Sequence, residues 1–175
     1  FVRDPLGAVD TPQNGRLSSR ATMAETGDSR HRIEELLYAY AERIDAGDFA
    51  GVGALFADGE IRVAEDGPSI RGAEAVRQLS AATVRLYGDG TPRTKHVTSN
   101  VMVEVDEAVG TATARSYFTV LQQLEDFPLQ VIVAGRYHDT FARVDGVWRF
   151  KVRRMYVDLQ GDLGRHLLIE LPRSA

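Results

Sequence analysis

The chain has 175 residues, 43% of them hydrophobic, with 21 Lys+Arg against 25 Asp+Glu. That length suits one domain with a core of its own, and the average composition excludes collagen, coiled coil and a mostly disordered chain. A net charge of −4 offers no general attraction to nucleic acid or anionic lipid, and the absence of cysteine excludes disulfides, thiolate nucleophiles and Cys-based metal or Fe–S sites.

Residues 1–27 carry two Pro, three Gly and no sustained apolar period, so they are expected to form a disordered tail outside the fold. The tail has no apolar h-region and is not read as a signal peptide. A helix is predicted to begin at Asp28-Ser29, either of which can cap it. Its buried stripe is Ile33, Leu36, Leu37, Tyr40, Ala41 and Ile44. Gly47 stops it, and Asp48 caps a short second helix through Phe49, Val52, Leu55 and Phe56. A brief strand, Ile61-Arg62-Val63, runs into the turn Glu65-Asp66-Gly67-Pro68. A third helix starts near Gly72-Ala73-Glu74 and buries Val76, Leu79 and Val84, and 87–93 is a loop by its Gly and Pro content.

From there the period changes to two. Segments 96–105, 109–122, 129–144 and 147–159 are rich in β-branched and aromatic residues and read as strands. Asp145-Gly146 marks a two-residue hairpin, and Asp106-Glu107-Ala108 a short turn. Helices first and strands second give an α+β fold, with three helices packed on one face of a mainly antiparallel sheet. Residues 161–175, with Leu163, Leu167, Leu168 and Ile169, form an extension that can pack across a cavity mouth or onto a neighbouring subunit. No apolar run approaches the length of a membrane helix, so a soluble protein is expected, with no membrane or nucleic-acid partner, and the lack of cysteine fits a reducing cytoplasm.

The run from Tyr38 to Glu60, with Asp45-x-Gly47-Asp48 and Leu55-Phe56-x-Asp58, is followed by Thr94-Lys95-His96 opening a strand and by the closing Asp145-Gly146-Val147-Trp148-Arg149-Phe150. Over about 28–160 this pattern resembles a SnoaL-like domain of the nuclear transport factor 2-like (cystatin-like) superfamily, nearest in site pattern to scytalone dehydratase. The resemblance implies a strongly curved sheet forming a cone around an apolar cavity, a small hydrophobic ligand, no cofactor, and a homodimer or homotrimer. It implies a lyase or isomerase of the dehydratase or cyclase type, in which Asp45 and His96 pair for acid/base proton transfer. A carboxylate on one imidazole nitrogen fixes the tautomer and raises the basicity of the other. Members of this fold also include non-catalytic binding or assembly proteins and the small subunits of ring-hydroxylating oxygenases, so those alternatives stand beside it.

The strand pattern sets a condition on that pair. Strict alternation puts His96, Thr98, Asn100 and Met102 on one face and Val101, Val103 and Val105 on the other, so His96 joins the valine core only if a bulge intervenes. Asp45 could otherwise serve the Gly47-Asp48 turn. Tyr40 falls on an oxyanion-donor position of ketosteroid isomerase by the same resemblance, and at stripe spacing it also suits the core. On the third long strand Gly135, Tyr137, Asp139 and Phe141 share a face. Tyr137 is a candidate substrate ligand, as is Asp139, unless it pairs with an arginine of a neighbouring strand. Arg115 is a candidate carboxylate ligand, although it and Arg149, Arg153 and Arg154 also suit a solvated or subunit-facing surface. The histidines at 31, 96, 138 and 166 show no metal spacing.

Overall fold

The structure, a computed structural model, describes residues 14–170. Helix α1 (Asn14–Asp45) is followed by α2 (Phe49–Leu55), β1 (Glu60–Val63), β2 (Ile70–Arg71), α3 (Ala73–Thr83), β3 (Thr94–Asp106), β4 (Thr111–Leu124), β5 (Phe127–Val144) and β6 (Val147–Gln160). The six strands form one open, mixed sheet in the order β2-β1-β6-β5-β4-β3. Its long strands are antiparallel neighbours, whereas β1 runs parallel to β6, with Ile61 opposite Arg153 and Val63 opposite Met155. The chain is therefore α+β, with three helices packed on this sheet.

Two local features differ from the sequence expectation. α1 begins at Asn14, so Asp28 and Ser29 lie within the helix and cap nothing. Arg, Leu, Ala, Met and Glu in 16–26 are good helix formers, and propensity alone gives no apolar period to read. Residues 1–13 of the expected tail lie outside the described residues. The two-residue β2 was not foreseen, being too short to show a period; its Arg71, with Arg62 and Ser69, binds the buried carboxylate of Glu60.

The turns follow their residues. Gly47 takes φ +71 and ends the first helix, and Asp48 caps α2 by accepting the Gly51 N–H at 2.8 Å. Asp145 and Gly146, at φ +50 and +78, make the tight turn between β5 and β6. In α1 the buried stripe Ile33, Leu37, Tyr40, Ala41 and Ile44 lies in the core, where the helix packs on β3 and β6.

Alternation along the strands is interrupted by bulges. On β3 the register shifts between Ser99 and Met102, with Asn100 at φ +52. Before the shift His96 opposes Val120 and Thr98 opposes Phe118; after it Val103 opposes Ala114. All three β4 partners face the core, so the inserted residue puts His96 and Val103 on the same side of the sheet. β6 does the same between Phe150 and Val152, so that Phe150 and Arg153 are both buried. No helix among the described residues is long and apolar enough to cross a membrane.

Candidate active site

Asp45, the last residue of α1, is 8% exposed although it is charged. Its Oδ1 accepts from the Thr94 hydroxyl at 2.7 Å and meets Nδ1 of His96 at 2.6 Å. Its Oδ2 accepts the backbone N–H of His96 at 2.7 Å. Burial pushes the carboxyl up, but the hydrogen bonds and charge of His96, helped by Thr94, hold it below the ordinary carboxylate range. Because a carboxylate only accepts, Nδ1 carries a proton in this contact, which in the neutral ring leaves the lone pair on Nε2. The bulge at Asn100 meets the condition set by the sequence.

His96 stands in the wall of a cavity of about 220 Å³. The cavity lies between the inner sheet face (Phe118, Val120, Val133, Tyr137, Met155, Val157), Ile44 and Tyr40 of α1, and Leu79, Ser80 and Thr83 of α3. Ile61, Val63, Val84, Leu163, Leu167 and Ile169 add further apolar lining. Its volume lies below the roughly 300–1,000 Å³ of drug-sized sites, so it has room for a small molecule only.

Tyr137 lies flat on Phe118 with ring centroids 4.5 Å apart, and Tyr40 meets it edge-on at 6.0 Å. Burial raises both phenols above their ordinary value, against the opposing charge of Arg153, so both remain protonated and able to donate. The Arg153 guanidinium lies 4.1 Å from the centre of the Tyr137 ring and 4.3 Å from that of Tyr40.

Asp139 and Arg115 do not join them. Asp139 is fully buried and gives both oxygens to Arg153, at 3.0 and 2.8 Å. Burial pushes its carboxyl up, with Arg153 opposing; burial also works against the charged guanidinium, but the carboxylate outweighs it and keeps Arg153 charged. Arg115 is exposed on the outer sheet face beside His138 and Met102, because its parity on β4 is opposite to that of Phe118. Among the described residues no group of three or more His, Asp or Glu side chains gathers in a form that could hold a metal ion.

One lining residue was not foreseen. His166 sits in the segment after β6, is 5% exposed, and its ring centroid is 6.5 Å from that of His96. Its Nδ1 is buried with no hydrogen-bond partner among the described residues, which costs about 1–3 kcal/mol. Burial, with the charge of His96, lowers its pKa to about 4, so the ring is neutral near pH 7. A lone histidine in a segment without period gave no signal beyond its apolar neighbours Leu163 and Leu167.

The model of the SnoaL-like domain matches residues 25–154. Among solved structures, a Mycobacterium tuberculosis protein of unknown function is 29% identical, with 78% of this chain and 75% of that chain covered and a TM-score of 0.64. An NTF2-like protein with a cystatin-like fold from Novosphingobium aromaticivorans is 25% identical over 86% and 92% of the two chains, with a TM-score of 0.65. A protein provisionally named a scytalone dehydratase, from the same species, is 24% identical over 81% and 91%, with a TM-score of 0.62; at that identity the likeness is one of fold. No curated protein matches. A buried Asp–His pair facing an apolar cavity thus sits in a chain whose sequence from 25 to 154 fits one family model, and the chain belongs to the SnoaL-like family, with an NTF2-like, cystatin-like fold.

Proposed function

We propose that this protein is a cofactor-independent lyase or isomerase that moves a proton on a small apolar carbonyl compound. The observation that carries the reading is the Asp45–His96 contact of 2.6 Å in the wall of a cavity lined mainly by aliphatic and aromatic side chains. In such a low-dielectric site a fixed base and fixed donors act more strongly than in water. Asp45 holds the Nδ1 proton, and Nε2 takes a proton from a carbon next to the carbonyl. The C–H electron pair forms the enolate, whose oxygen accepts hydrogen bonds from the phenols of Tyr137 and Tyr40. The imidazolium, stabilised by the Asp45 carboxylate, returns the proton to another carbon in an isomerisation. In a dehydration it gives the proton to a departing β-hydroxyl, which leaves as water. Asp139 supports the reaction indirectly, by keeping Arg153 beneath the two phenols.

The reading is tested by incubating the protein with 1-indanone in D2O and following loss of the α-proton signals by NMR. The wild-type protein is expected to accelerate exchange over buffer, His96→Ala to lose about 10²–10⁴ of that acceleration, and Asp45→Asn to lose part of it, with circular dichroism unchanged. Wild-type rates in both variants would discard the dyad and leave a ligand-binding protein.

A further inference from the structure

The segment 161–170 is fastened across one side of the cavity. The Gly161 N–H bonds to the Ile132 carbonyl at 2.9 Å, the Arg85 N–H to the His166 carbonyl at 2.8 Å, and the Leu168 N–H to the Thr83 carbonyl at 2.9 Å. Leu167 bridges to Val84. These bonds use the backbone of the segment and leave the His166 ring free to serve the cavity that it lines. The ring has a nitrogen buried without a partner. Its distance from His96 is too great for the two imidazoles to bond to each other, and their planes are tilted by 63°. Nδ1 is itself closed off from the cavity, but Nε2 is not sealed and has no hydrogen-bond partner among the described residues, so in this mainly apolar wall it is the nitrogen left to pair with what fills the cavity.

We infer that His166 is a ligand-binding residue: its neutral imidazole donates a hydrogen bond to an acceptor oxygen on the ligand, fixing that oxygen beside His96. The ligand class is a small apolar ring compound bearing a carbonyl. The inference rests on the reading that the cavity takes such a compound, and does not need the proton-transfer step. A ketone oxygen can only accept, and a neutral imidazole has one N–H to give. An oxygen held by His166 fixes where the adjoining carbon sits relative to Nε2 of His96, so His166 sets which position of the ring is presented.

The test compares 1-indanone with indane, which has the same ring system without the oxygen, by protein-observed NMR titration of the full chain. The wild-type protein is expected to bind the ketone about five- to tenfold more tightly. His166→Phe keeps an aromatic ring without a donor and should erase that preference, while His166→Gln, which restores an N–H, should recover most of it. His96→Ala should leave the preference in place even though it stops exchange, so failure of the proton-transfer reading is seen separately. A wild-type protein that takes up neither compound, or both equally, overturns the inference, as does a preference that survives in His166→Phe. If His166→Phe does not fold, the decision passes to His166→Asn and His166→Leu: equal preference in the two overturns it.

Discussion

Arg153 and Asp139 are both excluded from solvent, and the guanidinium also lies against Tyr40, Tyr137 and Phe150. Neither charge has water to fall back on, so removing one partner strands the other. Arg153→Met should therefore cost about 3–5 kcal/mol in urea unfolding, while the double variant Arg153→Met with Asp139→Leu should cost clearly less. Alternation put Asp139 on one face with Tyr137 and Phe141, and in that much the strand was readable, while which face is the inner one came from the family pattern. It did not choose among the neighbouring arginines, because that choice depends on register. Counted back from the Asp145-Gly146 turn without interruption, Asp139 falls opposite Val152; the shift after Phe141 brings it opposite Arg153 instead. Likewise, the Asp45–His96 pair was suggested by a family pattern, while periodicity alone pointed His96 the wrong way.

At the scale of elements, the bulges are the devices that the two-residue period cannot reveal. Most strand spans and turns follow from β-branched runs punctuated by Gly and Asp, which are local signals. A bulge has no such signal except a residue tolerant of positive φ, and on β3 that residue is Asn100. Asn100→Gly should change stability by no more than about 0.5 kcal/mol, whereas Asn100→Val, forced into a left-handed conformation, should lose about 1–2 kcal/mol by thermal or chemical unfolding. Gly135 is another fixed point: a Cβ there would come within 1.9 Å of the Tyr156 carbonyl oxygen and 2.8 Å of the Phe118 ring that supports Tyr137.

For the whole molecule, the helices leave the outer sheet face uncovered. Val97, Met102, Tyr117 and Leu159 are exposed there, on rows in which Leu159 opposes Ala134, Ala134 opposes Thr119 and Thr119 opposes Val97. Interspersed Arg115, Arg136 and His138 give the face a mixed character suited to a second copy of the same chain. We expect a homodimer or homotrimer by light scattering at micromolar concentration; Tyr117→Glu should shift it toward monomer with the cavity intact.

The parallel pairing of β1 with β6 has a consequence for how the molecule comes into being. Glu60–Val63 is made well before the strand that receives it, Val152–Met155, with three long strands synthesised in between. Until then one side of β1 has no ladder partner, and the aliphatic side chains of Ile61 and Val63 lack their neighbour Met155. Contacts between such distant parts of a chain close slowly because a long loop must be ordered first. On the ribosome the helices and the β1–β2 corner therefore stay an unfinished vessel until β6 docks, and the 161–170 segment that follows it closes the remaining side.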